Sequence, residues 1–120
     1  MTYRQEIGNK GEKIAADYLM DKGYTLLDRN FHTRYGELDL VMFENGMIVF
    51  VEVKTRTSTS FGAPEESITS LKLEHLQNAG LSWLQAHPES PDDWRMDAVS
   101  ILMQKNGKIR DIQHFININL

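Results

Sequence analysis

The sequence predicts an α/β domain with a mixed five-stranded sheet flanked by helices, and three observations predict it. Two stretches, about residues 4–22 and 69–86, carry apolar side chains at helical spacing. Five shorter runs have strand character, and Asn45-Gly46 and Asn106-Gly107 mark two chain reversals among them. The resulting order is helix, three strands, helix, two strands, the order of a sheet with a helix on at least one face.

In the first helix Ile7, Gly11, Ile14, Ala15, Tyr18 and Leu19 form one apolar stripe. Lys22 supplies a cation in the last turn, and Gly23 tolerates the left-handed stop. Residues 24–31 form a short mixed strand. In residues 36–43, Leu38, Leu40 and Met42 alternate with Glu37, Asp39 and Val41. In residues 47–57, Val49, Val51 and Val53 alternate with Ile48, Phe50, Glu52 and Lys54. Asn45-Gly46 makes these two runs antiparallel neighbours. Residues 58–66 read as a polar, mobile loop containing Gly62 and Pro64. Leu73, Leu76, Ala79, Gly80, Trp83 and Leu84 face the core from the second helix, which His87-Pro88 ends because a residue before proline avoids helical angles. Strands over 94–103 and about 108–118 complete the chain.

At 120 residues this is a single domain, residues 1–120, with room for one core. The 41% hydrophobic and 25% charged content is that of a soluble globular protein, and no apolar run can span a bilayer. The opening residues lack the apolar segment of a signal peptide. Without cysteine there is no disulfide framework and no thiolate metal site, and a cytoplasmic address is expected. The net charge of −4 argues against a general nucleic-acid coat. It is compatible with an enzyme that gathers carboxylates around a cation.

Asp39, Glu52 and Lys54 carry the chemistry. Glu52 and Lys54 project to one face because they are two apart on a strand. If the Asn45-Gly46 turn closes tightly, Glu44 faces Met47 and, counting back in step, Asp39 faces Glu52. Glu-x-Lys alone reads as solvated surface. Two opposed carboxylates between central apolar positions are different, because they repel unless something positive lies between them. Mg²⁺ or Mn²⁺ would resolve that repulsion, held by Asp39, Glu52 and the backbone carbonyl of Val53. Lys54 would stabilise charge on an attacked phosphate or orient the attacking water. Glu12, bordering the apolar stripe of the first helix, is a fourth candidate, reaching the cation directly or through water. Glu37 is expected to orient Arg34 or a neighbouring strand, although its face also permits a metal.

Other motifs are weaker. His32, His75, His87 and His114 have no zinc-ligand spacing. Gly8-x-x-Gly11 follows no strand, so it reads as helix packing rather than a nucleotide loop. Tyr18, Trp83 and Trp94 read as core aromatics, while Phe61 in the polar loop is a base-stacking candidate.

The motifs Gly8-x-x-Gly11-Glu12-x-x-Ala15-x-x-Tyr18-Leu19, Gly36-Glu37-Leu38-Asp39-Leu40 and Phe50-Val51-Glu52-Val53-Lys54-Thr55-Arg56 occur in order. Gly23-Tyr24, Asn30, Gly62-x-Pro64-Glu65, Lys72, Ala79, Met96-Asp97-Ala98-Val99 and Ile112-Gln113-His114 add weaker matches. Nearly end to end, the chain resembles the YraN-like uncharacterised family. More distantly it is similar to archaeal Holliday-junction resolvases of the restriction-endonuclease-like fold. The resemblance implies that core, with Glu12, Asp39, Glu52 and Lys54 at the catalytic positions. His32 stands where an arginine is usual, which puts one phosphate contact in doubt. Leu81 stands where exonuclease relatives carry the tyrosine of Gln-x-x-x-Tyr after Gln77, which argues against an end-processing exonuclease. The leading expectation is a Mg²⁺- or Mn²⁺-dependent endonuclease on DNA, branched or damaged, with RNA an open alternative. The other class is a non-catalytic nucleic-acid-binding or assembly module on the same fold, with Arg34, Arg56 and Lys72 meeting phosphates or a partner. A homodimer would give a junction enzyme its two sites.

Overall fold

The computed structural model describes residues 2–57 and 68–118. The whole polar loop of residues 58–66, including the stacking candidate Phe61 and the Gly62-x-Pro64-Glu65 match, lies outside the described residues. Helix α1 spans Tyr3–Asp21 and begins with a capping box, in which Thr2 and Gln5 each satisfy the other's backbone N–H. It stops because Gly23 adopts a φ of 97°, open to glycine without steric cost. Lys22 is the cap residue rather than part of the last turn, and its ammonium lies 4.4 Å over the Tyr18 ring.

Strands β1 (Thr25–Thr33), β2 (Gly36–Glu44) and β3 (Met47–Arg56) form an antiparallel meander. Helix α2, Ser70–Ala86, carries the chain across to β4 (Trp94–Met103), which lies parallel to β3. Thr69 caps α2 by accepting from the Lys72 N–H at 3.1 Å. β5, Ile109–Phe115, returns antiparallel to β4. The sheet order is β1-β2-β3-β4-β5, a mixed five-stranded α/β sheet consistent with a restriction-endonuclease-like core. No helix among the described residues is long and apolar enough to cross a membrane.

The two helices cover opposite faces. On the α1 side Ala15, Ala16 and Leu19 bury Leu40, Met42, Val49, Val51, Val99 and Ile101. On the α2 side Leu76, Ala79 and Trp83 bury Leu38, Val41, Ile48, Phe50 and Met96. Two glycines set how closely the helices approach. A Cβ at Gly80 would lie 2.8 Å from the Phe50 ring, and one at Gly11 would overlap the Thr55 hydroxyl. The expectation that Gly8 and Gly11 both serve packing holds for Gly11 alone. Nothing among the described residues lies within 4 Å of a Cβ at Gly8.

In β2 strict alternation fails at Asp39. Leu38 packs with Val41 on the α2 side, not with Leu40 and Met42 as its spacing predicts. The strand therefore slips by one residue at Asp39. β1 accommodates the slip without losing register: the pairs Arg29↔Leu40 and Phe31↔Leu38 persist, and Asn30 between them takes a left-handed φ of 55°. Asparagine tolerates that conformation better than most residues.

Asp97, fully buried on β4, is the hub of a polar network. It accepts from Arg95 Nε at 2.9 Å and from the Asn117 N–H at 2.9 Å, and lies 2.8 Å from His114 Nε2. These bonds, opposing the cost of burial, hold its carboxyl below the usual range. They tie β5 and the segment after it to β4.

The two glycines of α1 should respond oppositely to alanine. Gly8→Ala should stabilise the fold by up to about 1 kcal/mol, because it restricts the unfolded chain and meets no neighbour. Gly11→Ala should destabilise it by about 1–2 kcal/mol, overpacking against Thr55 outweighing the same helix gain. Urea unfolding of both variants checks the signs.

Candidate functional site

The β2–β3 register runs from Glu44↔Met47 to Leu40↔Val51, the register expected from the Asn45-Gly46 turn. It ends there, one step short of placing Asp39 against Glu52. Beyond that point the Val53 N–H donates to Asp39 Oδ2 at 2.8 Å, so a side chain replaces a strand partner. The direct facing of Asp39 and Glu52 is thus corrected to an offset, because the slip at Asp39 turns its carboxylate toward the Val53 amide.

Glu52 is only 5% exposed. Its Oε1 lies 3.5 Å from Lys54 Nζ and 3.6 Å from Lys72 Nζ, while Oε2 is buried without a partner among the described residues. Glu12 comes down from α1, with Arg29 Nε 3.7 Å from its Oε1. The Asn30 amide, turned to donate, reaches Glu12 Oε1 at 2.8 Å and Glu37 Oε1 at 2.7 Å. Carboxylate oxygens of Glu12, Glu37 and Asp39 all lie within 4.8 Å of one another. Glu12, Asp39, Glu52, Val53, Lys54 and Arg56 line one cavity of about 700 Å³.

Such a concentration of negative charge has a measurable consequence. Burial, then the charge of Glu52, push the Asp39 carboxyl up to about 8, against the bond from Val53 that favours its ionised form. Burial also raises Glu12, with Glu37 adding to the shift while Arg29 and Asn30 oppose it. These residues fit a small divalent cation. The donors are all oxygen, and Glu52 Oε2 is buried with a lone pair that meets no donor among the described residues.

All four predicted catalytic residues, Glu12, Asp39, Glu52 and Lys54, therefore surround one space. Of the three basic residues expected at phosphates, Arg56 lines the cavity and Lys72 meets Glu52 directly. Arg34 sits instead at the exposed β1–β2 turn, where it donates to the Tyr35 hydroxyl at 2.7 Å. The expected pairing of Glu37 with Arg34 is replaced by contacts to Asn30 and to His32, the latter at 3.5 Å. Sequence reasoning placed Asn30 among the family matches but gave it no role at the site, where it bridges two carboxylates. The available signal was spacing: Glu37 shares a strand face with Asp39, and a polar residue on β1 must lie beside them.

The class is thus an α/β domain with a carboxylate-and-lysine site at the opening between two central strands. Residues 11–101 match the model of Uncharacterised protein family UPF0102. The chain belongs to that family, the YraN-like family that its motifs resemble. A UPF0102 protein of Syntrophomonas wolfei is 51% identical over 94% of this chain and 96% of its own length. One from Clavibacter michiganensis is 44% identical over 90% and 92%, and one from Geobacter metallireducens 39% over 96% and 93%.

The raised Asp39 carboxyl sets the pH dependence of the cation-free chain. A carboxyl whose pKa is higher folded than unfolded contributes stability below its ordinary value, and that contribution is lost as pH rises through the folded value. The melting temperature without divalent cations should therefore fall between pH 5 and about 8. Asp39→Asn should flatten that fall. An unchanged slope in the variant would assign the pH dependence elsewhere.

Proposed function

We propose that this protein is a Mg²⁺- or Mn²⁺-dependent phosphodiester hydrolase, endonuclease-like, acting on DNA in a cytoplasmic setting. The observation that carries the reading is the shared cavity of Glu12, Asp39, Glu52 and Lys54, with one carboxylate oxygen of Glu52 buried and unpartnered. Asp39, Glu52 and the Val53 carbonyl would hold the cation, with Glu12 reaching it directly or through water. Bound there, the ion supplies positive charge that polarises the phosphoryl group and helps activate water.

The chain's own residues supply the rest. Lys54 places an ammonium at the cavity, where it can balance the charge that builds on phosphoryl oxygens as water adds and the P–O bond to the leaving oxygen breaks. Glu52 Oε1 holds that ammonium in position and also restrains Lys72 from α2. Arg56 at the same cavity, and Lys72 when it leaves Glu52, offer positive charge to flanking phosphates. The overall negative charge of the chain is no obstacle, since affinity follows the local cations rather than the sum.

A cleavage panel of flaps, four-way junctions, duplexes and single strands, in DNA and RNA with Mn²⁺, tests the reading. Cleavage of DNA should exceed cleavage of RNA, and Glu52→Ala or Lys54→Ala should lower it by about 100-fold or more. Absence of cleavage on every substrate, or full activity of Glu52→Ala, contradicts it. Salt-dependent binding that survives both substitutions without turnover would instead mark a non-catalytic binding module.

A further inference from the structure

We propose that Glu37 is a further carboxylate of the cation site and that Asn30 is the residue positioning it together with Glu12. This inference rests on the cation-binding reading given above and deepens it. Glu37 stands two residues before Asp39, ahead of the slip in β2, and its carboxylate oxygen joins those of Glu12 and Asp39 within 4.8 Å. Oxygens sharing one Mg²⁺-sized ion lie up to about 4.2 Å apart, twice a metal–oxygen bond, so the group need contract only slightly.

Such a cluster would disperse if nothing held it. Asn30 holds it: the two N–H donors of its amide are spent on Glu12 Oε1 and Glu37 Oε1, at 2.8 and 2.7 Å. Its left-handed φ of 55° aims the side chain there while β1 and β2 stay in register on either side. Arg29 already reaches the same Glu12 oxygen at 3.7 Å, and the neutral amide fixes the oxygens without cancelling more of the charge a metal ion needs. His32 occupies the other oxygen of Glu37 from the exposed side, 78% accessible, and so serves as an outer support.

A second observation points to a ligand in the cavity that borders this cluster. Glu52, 5% exposed, lines the same cavity as Glu12 and Asp39 and keeps Oε2 without a donor among the described residues. Two lysines crowd its other oxygen and leave this one untouched.

Calorimetric titration of the full chain with MnCl₂, alongside melting curves in chelator, tests the proposal. Glu37→Gln should weaken Mn²⁺ binding by about 10-fold or more, and Asn30→Gly by about 10-fold, the usual cost of losing a group that orients ligands. Glycine keeps the left-handed backbone, so the second variant removes only the amide. In chelator, Glu37→Gln should melt higher than the unmodified chain, because a repelling charge is gone; a merely structural Glu37 would melt lower. Unchanged Mn²⁺ affinity in both Glu37→Gln and Asn30→Gly, with Asp39→Asn abolishing binding, overturns this inference and leaves the cation reading standing. No Mn²⁺ binding by the unmodified chain overturns both.

Discussion

Asp39 accepts the hydrogen bond that the β2–β3 ladder gives up after Leu40↔Val51, and the site depends on that exchange. A regular ladder would have continued the pairing and set Asp39 against Glu52 with no room between them. Instead the strand slips, the Val53 amide is satisfied by a carboxylate, and space opens between two central strands. A backbone amide left unpaired there would cost about 1–3 kcal/mol, so the carboxylate has a structural duty even in the absence of ligand. The same bond favours the ionised form of Asp39, and burial beside Glu52 overrides it. The result is a carboxylate cluster that the fold tolerates and a cation would relieve.

All the main layers of the fold converge on this space. α1 brings Glu12 in because Gly11 lets the helix settle onto Thr55. α2 brings Lys72 in from the opposite face, with Gly80 seated against Phe50. β3 contributes Glu52 and Lys54 from adjacent same-face positions, and β1 contributes Arg29 and Asn30. The network around Asp97 uses similar residue types to a different end. There each carboxylate oxygen has its donors, the carboxyl is held low, and nothing is left over for a ligand. The contrast between Asp97 and Glu52, both buried, separates a polar group that holds strands together from one that keeps an oxygen without a donor among the described residues.

Much of this was legible in the chain. Helical periodicity located α1 and α2 within a residue or two, and Asn45-Gly46 defined a register that the structure keeps for five successive pairs. Alternation put Glu52 and Lys54 together. It could not show the slip at Asp39, because Leu38 is apolar on either face and so its pattern carries no warning. Asn30 escaped for a related reason: an asparagine in a strand says nothing until the backbone sign is known. Arg34 was grouped with the basic residues of the site by proximity in sequence, yet the β1–β2 turn carries it away to Tyr35. The placing of Glu12 at the site came chiefly from family resemblance, and only the closeness of α1 to β3 gives it a physical basis.

We infer that these carboxylates are arranged to hold a divalent cation. Anomalous diffraction at the manganese edge, from crystals of the unmodified chain grown with MnCl₂, tests it most directly. A peak is expected in the cavity beside Asp39, within bonding distance of carboxylate oxygens. A cavity without anomalous density at saturating Mn²⁺, with Lys54 and Lys72 still held by Glu52, would contradict it.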